Sequence, residues 1–293
     1  MVYNNEDFVE RTLLSILENN TENFDVIIND DCSTDNSVSV IKQFLLSNNS
    51  ITKQWRLNLN KSNLGINASI KNILSVNKNS WVKYIAGDDE FELDSLLEYY
   101  QIASKNNPNN CIAIAGMNFI NEYSKNIGKR SSLSSYFYEN DWLKTTNLYI
   151  NTINAPSVMI GREPLLAALD ETKVKNVEDW PLLRFCISRN FNFKVHKDPL
   201  IKYRFHKNSL SSQFNDAIET KNHVKRISNE VEILLNENIL LSDSRIVQLG
   251  IYIQIKCLKA DNIVERFFYK TLKLINIQFV MFRILALIDS WKK

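Results

Sequence analysis

The sequence predicts an α/β protein: a mostly parallel sheet flanked by helices, with an all-helical C-terminal extension. Three observations lead there. Up to about residue 120, short apolar runs alternate with amphipathic stretches of helical period, the pattern of βαβ units. Two of those runs, 24–28 and 81–86, end in adjacent aspartates, and open α/β sheets bind ligands at the C-terminal ends of their strands. The composition is that of a globular protein: 293 residues, 44% hydrophobic and 23% charged, enough for a sizeable core.

The elements follow in order. Residues 6–19 place Phe8, Val9, Thr12, Leu13, Ile16 and Leu17 on one helical stripe, with Glu6 and Asp7 suited to the dipole of its first turn. A strand at 24–28 runs into the polar loop 29–37, where Ser33, Thr34 or Asp35 is placed to cap the next helix. A strand at 55–59, a helix at 66–77, the strand at 81–86, a helix near 93–105 and an apolar strand at 111–117 follow. Residues 121–147 read as a polar segment carrying Tyr136, Phe137, Tyr138 and Trp142, either a cover over a site or a packed surface loop. A strand at 157–160, a helix near 163–169, a helix opened by Val177-Glu178-Asp179-Trp180-Pro181 and one or two strands in 191–205 complete this part. From about 214 onward the chain reads as helix.

Composition excludes several classes. A net charge of +2 gives no argument for nucleic acid as a partner. Cys32, Cys111, Cys186 and Cys257 are widely spaced, so neither a zinc site nor a disulfide framework is expected, and a reducing cytoplasm fits best. Met1 is followed by neither a basic start nor an apolar run, so no signal peptide is expected. The apolar segment 264–290 is interrupted by Gln278 and Arg283, and its runs fall far short of the ~20 residues of a membrane span. Flanked by Lys270, Lys273, Lys292 and Lys293, it suits a membrane interface, or docking on its own domain or on a partner subunit.

The stretch Trp81 to Glu90 organises the rest. Its buried strand ends in Gly87, Asp88 and Asp89, two carboxylates that repel unless a positive group sits between them. Mg²⁺ or Mn²⁺, hard cations that choose oxygen, would answer that need. A plain turn whose second aspartate caps the following helix is the other reading.

Taken together, six motifs resemble the family 2 inverting glycosyltransferases, which have a GT-A fold. They are Val2-Tyr3-Asn4, Asp30-Asp31-Cys32-Ser33-Thr34-Asp35, Asn63-Leu64-Gly65, Gly87-Asp88-Asp89, Glu178-Asp179 and Tyr203-Arg204-Phe205-His206. Each is weak alone; their joint order and spacing is specific. The resemblance covers residues 1–211. It implies a nucleotide-binding half at 1–118, an acceptor half at 119–211 and a helical extension at 212–293.

The resemblance also assigns roles. Tyr3 is similar to the aromatic that packs on the donor's base, with Asn4 beside it; Asp31 resembles the carboxylate that reads the base edge, with Asp30 supporting its loop. Asp88 resembles the ribose-binding aspartate and Asp89 the ligand of a divalent metal, Mn²⁺ or Mg²⁺, that bridges the diphosphate. Asp179 is similar to the catalytic base, and His206 lies where some relatives contribute a metal or phosphate contact, or is an ordinary part-buried histidine. The implied activity is metal-assisted transfer of a sugar, with inversion, from a nucleotide-sugar donor (a UDP-sugar by the Tyr3 and Asp31 pattern) to a hydroxyl of a glycan or lipid-linked glycan. By analogy the context is bacterial polysaccharide biosynthesis, in the cytoplasm or peripheral at the inner membrane face. The alternative is a catalytically degenerate nucleotide-sugar-binding or scaffold protein. A nucleotidyltransferase or dehydrogenase is disfavoured, because residues 1–20 hold no glycine and no G-x-G-x-x-G occurs.

Two departures carry expectations. The apolar strand that precedes the Tyr-Asn pair in this family is essentially absent, which is expected to leave its neighbours' backbone groups unpaired. Ala86 stands where the commonest metal motif has its first aspartate, which is expected to lower metal affinity.

Overall fold

The computed structural model describes residues 1–19, 21–130, 138, 151, 153–175 and 177–207, with isolated positions 233, 236, 249, 252 and 253. Its centre is β5 (Cys111–Ile120), where side chains alternate between two cores. Ile112 and Ile114 enter one core; Ala113, Ala115 and Met117 enter the other. The same period runs through β7 (Val158–Gly161), with Val158 and Ile160 to one face and Met159 to the other.

Helices cover both faces. Over the first core lie α4 (Ile66–Val76), α6 (Arg162–Asp170) and α7 (Asp179–Ser188), through Ile70, Leu74, Leu165, Leu182 and Leu183. Over the second lie α1 (Val9–Leu17), α2 (Ser37–Ser47) and α5 (Ser95–Lys105), through Val9, Leu13, Ile41, Phe44, Leu96 and Tyr99. A short helix α3 (Asn49–Thr52) follows α2.

The α/β class stands, and the sheet that carries it is mixed rather than mostly parallel. β1 (Ile27–Asp30) pairs parallel with β2 (Arg56–Leu59), and β5 pairs parallel with β8 (Asn192–Arg204). The other four pairings are antiparallel: β3 (Trp81–Lys83) with β7, β7 with β5, β5 with β6 (Asn126–Arg130), and β4 (Glu90–Phe91) with β8. Returning strands, rather than only crossover helices, build this second half.

Three local differences from the sequence reading have physical reasons. The strand expected over 81–86 keeps ladder pairing only to Lys83; the chain then leaves the sheet toward Gly87. β6 lies inside the segment read as polar, because a strand at a sheet rim needs no apolar alternation. Of the aromatics in that segment, Tyr138 is buried and stacks on Phe193 with ring centroids 4.5 Å apart, whereas Tyr136, Phe137 and Trp142 lie outside the described residues. The extension 212–293, including 264–290, also lies outside them, apart from the isolated positions. No helix of the described residues is long and apolar enough to cross a membrane.

The slot between β1 and β3 is held by the first two residues. Val2 donates its N–H to Asn29 O and accepts from Asp31 N, each at 2.8 Å, while the Met1 amino group donates to Ile85 O at 2.9 Å. The backbone groups expected to be orphaned at this point are therefore partly met. β1–β2 and the six-stranded sheet remain separate ladders among the described residues, and Val2 forms an isolated bridge with Asp30 of β1.

Candidate active site

The turn after β3 places Asp88 and Asp89 against the end of β8. Gly87 is closely packed there: a Cβ would stand 2.8 Å from Asn5 Oδ1 and 3.1 Å from Val2 Cγ2, so those side chains would have to shift. Asp89 is 2% exposed; its Oδ1 accepts the Arg204 N–H at 2.9 Å and its carbonyl accepts from Thr12 Oγ1 at 2.7 Å. Burial, and then repulsion from Asp88, push the Asp89 carboxyl well above the usual range. Asp88 points to the other side of the turn, with its Oδ2 3.0 Å from His206 Nε2. His206 is itself buried, with its ring 4.5 Å from that of Phe8.

Arg204 fixes this geometry. Its Nε donates to the Asp88 carbonyl at 2.7 Å and its Nη1 to Asn121 O at 2.8 Å; Nη2 pairs with Glu90 and, at 3.1 Å, with Ser124 Oγ. The guanidinium lies over the Phe8 ring, 5.1 Å from its centroid. Arg204 carries no task in its Tyr-Arg-Phe-His motif, because the groups it binds at Asp88 and Asp89 lie more than a hundred residues away in sequence.

A second cluster joins residues 3–6 to the loop after β1. Asn4 N–H donates to Ser33 Oγ at 2.9 Å, Asn4 Oδ1 accepts from Thr34 N at 2.8 Å, and Glu6 Oε2 accepts from Asn36 N at 2.8 Å. None of the three residues considered for capping α2 is its cap: that place falls to Asn36, which makes no side-chain cap hydrogen bond, and Asp35 before it accepts from Ser37 N at 2.9 Å. Asp30 is buried and turned onto Ser33, accepting its N–H and its hydroxyl. Asp31 accepts from Asn60 Nδ2 at 2.8 Å and from Leu64 N and Gly65 N, each at 2.9 Å. Gly65, with φ of 78°, allows both amides to face one carboxylate. Tyr3 stands beside this cluster with 48% of its surface exposed.

The third cluster is Glu178 and Asp179 at the start of α7. Asp179 is the first helical residue rather than the cap, and its Oδ1 accepts from Trp180 N at 2.7 Å. The Asn151 side chain and the backbone at Ala155 also hydrogen-bond this carboxylate. Burial nevertheless raises Asp179, and burial followed by the Asp179 charge raises Glu178 to about 8. Tyr84, one residue beyond β3, is raised by burial and then by the charges of Glu178 and Asp179, so the strand leading into Asp88 passes beside this pair. Its hydroxyl is buried with no hydrogen-bond partner among the described residues. The preceding Lys83 donates to Tyr84 O at 2.9 Å and to Pro156 O, and burial lowers it to about 7.

A family model described as "Glycosyl transferase family 2" matches residues 1–159, more than half of the chain, and takes in the second cluster and the Asp88–Asp89 turn of the first. The chain belongs to glycosyl transferase family 2. Among curated relatives, this glycosyltransferase is 22% identical over 210 residues to TuaG of Bacillus subtilis (strain 168), a glycosyltransferase named for teichuronic acid biosynthesis. That match covers 72% of this chain and 79% of the relative. It is 24% identical over 234 residues to the dTDP-rhamnosyl transferase RfbG of Shigella flexneri, covering 77% and 76% of the two chains. Its fold is similar to that of S. aureus TarS 1–349 in complex with UDP, with a TM-score of 0.53 at 14% identity, over 87% of this chain and 68% of TarS. It is also similar to the mannosyltransferase PcManGT of Pyrobaculum calidifontis, solved with GDP-Man and Mn²⁺, with a TM-score of 0.54 at 11% identity, over 98% and 86%. These likenesses place the mixed sheet in the GT-A class.

Asp88 and His206 bring a carboxylate and an imidazole to one point, and these are the residues that could hold a divalent cation. Among the described residues no group of three or more His, Cys, Asp or Glu side chains is gathered for a metal ion, because Asp89 is turned onto Arg204.

Proposed function

We propose that this glycosyltransferase moves a sugar from a UDP-linked donor to a hydroxyl of a glycan or lipid-linked glycan, inverting the anomeric carbon, with Asp179 as general base. One observation carries the reading. Asp179 is held by the Trp180 amide, Asn151 and Ala155, while burial raises its proton affinity. A fixed carboxylate with a raised pKa is what removal of a proton from a sugar hydroxyl requires.

The acceptor oxygen attacks the anomeric carbon opposite the departing diphosphate. Asp179 takes its proton, and the bond from carbon to phosphate oxygen breaks. Single displacement of this kind inverts the carbon, unlike the two-step chemistry of retaining hydrolases. Asp88 and His206, with Asp89 behind them, would hold Mn²⁺ or Mg²⁺, whose charge offsets that of the leaving diphosphate. Tyr3 supplies an exposed ring for the base, and Asp31 Oδ2, which accepts the Gly65 amide, retains capacity for one more donor such as the imide N–H of uracil. Residues 1–118 then carry the donor and 119–211 the acceptor. For a lipid-linked acceptor, the lysine-flanked 264–290 segment suits the inner membrane face.

A thermal-shift series with UDP, GDP, dTDP and CDP tests the donor site. With Mn²⁺ present, UDP at ~100-fold above its Kd is expected to add about 2.7 kcal/mol, and chelator to remove most of it. No shift from any nucleotide, in a chain that melts cooperatively, would overturn the reading.

A further inference from the structure

We propose that Asn67 is a positioning residue for the base: it anchors the loop that delivers Glu178 and Asp179. This role rests on the glycosyltransferase reading above. Asn67 lies in the first turn of α4 and is 6% exposed. Its Nδ2 donates to Val174 O at 2.9 Å and to Val177 O at 3.3 Å, and its backbone N–H donates to Lys175 O at 3.3 Å. Three carbonyls of one loop thus converge on a single residue, and the last belongs to the peptide that leads into Glu178.

The chemistry of the side chain matters. Two acceptors fix which end of the amide faces the loop. The other end, Oδ1, is buried without a partner among the described residues. A fold that keeps such an atom has a use for the donating end. Serine can meet at most one of the two carbonyls, and aspartate sets a charge against both. Three and two residues earlier, at the entry to the helix, the Leu64 and Gly65 amides are held by Asp31. One stiff turn is therefore tied at one end to the carboxylate proposed to read the donor base, and at the other to the loop bearing Asp179.

The test compares the full chain with Asn67→Ser and Asn67→Asp. Turnover is read as nucleoside diphosphate released with Mn²⁺ from UDP-N-acetylglucosamine, GDP-mannose and dTDP-rhamnose, with water as the acceptor. A reacting group displaced by about 1 Å loses ~10²-fold in rate, so kcat is expected to fall about 10- to 100-fold. Donor KM and UDP affinity are expected to stay within about threefold, and the acidic limb of the pH–rate profile to move. Hydrogen exchange is expected to quicken over 173–179 while β5 and α1 keep their protection.

Wild-type turnover in both variants would overturn the proposal. So would loss of the folded state in both, or equal loss of turnover and UDP binding, since either assigns Asn67 to the core alone. A wild-type chain silent on every donor would instead count against the glycosyltransferase reading. Exchange over 173–179 would then still decide the anchor, and unchanged exchange would overturn it.

Discussion

Arg204 and Asp89 meet backbone to side chain, with the Arg204 N–H donating to Asp89 Oδ1 at 2.9 Å, 115 residues apart in sequence. The same arginine binds the Asp88 carbonyl through Nε and Glu90 through Nη2. Its side chain is wholly buried, so the end of β8 and the two-aspartate turn form one unit. Arg204→Met leaves buried Glu90 with only the longer cation contact to Lys202, at 3.9 Å. The expected loss is about 3–5 kcal/mol, read from the urea midpoint, with UDP binding lost in parallel. A loss below 1 kcal/mol would show that the turn holds itself.

Tyr84 makes the opposite prediction. Its hydroxyl is buried with no partner among the described residues, so it costs desolvation without a hydrogen bond from them in return. Tyr84→Phe is expected to stabilise the protein by about 1 kcal/mol. A destabilisation of that size, by the same urea measurement, would mean that the hydroxyl is bonded in solution.

Glu178 and Lys83 give stability two opposing slopes against pH. Folded Glu178 holds its proton to about 8 against an ordinary value of 4.5, so the unfolded chain binds fewer protons in that window and stability falls as pH rises. Folded Lys83 releases its proton near 7 against 10.5 unfolded, so stability rises with pH across that window. Glu178→Gln should flatten the falling slope and Lys83→Met the rising one, in urea midpoints taken from pH 4.5 to 10.5. Unchanged slopes in both variants would contradict the burial assigned to these groups.

The pair of Glu178 and Asp179 also bears on the rate. Asp179 must be ionised to accept a proton, and the raised pair places the acidic limb of the pH–rate profile above the usual carboxylate range. Glu178 keeps its proton to about 8 and sets no charge against Asp179 at that limb, so Glu178→Gln is expected to leave the limb in place. A shift upward would mean that Glu178 assists ionisation of Asp179.

Several of these features were legible in the chain itself. The stripe of Val9, Leu13 and Ile16 gave α1, and the apolar run from Cys111 gave the central strand, because burial on a fixed period leaves a mark in sequence. Strand polarity was not legible: nothing in Val158–Gly161 says that it returns antiparallel between β3 and β5. The motifs located Asp31, Asp88, Asp179 and His206, yet not their partners. That Asp31 faces the Leu64 and Gly65 amides, and that Asp88 rather than Asp89 faces His206, depends on contacts between residues dozens to more than a hundred positions apart. Asn67 and Arg204 went unassigned for the same reason, since their hydrogen bonds reach loops that no local pattern connects to them.

The most direct measurement is sugar transfer by Asp179→Asn beside the wild type, with UDP affinity measured on both. Loss of general-base assistance is expected to lower kcat by about 10²- to 10⁴-fold while UDP affinity stays within about threefold, since Asp179 belongs to a cluster separate from Tyr3, Asp31 and Asp88. Transfer by Asp179→Asn at the wild-type rate, with UDP still bound, would remove Asp179 from the chemistry and contradict the account.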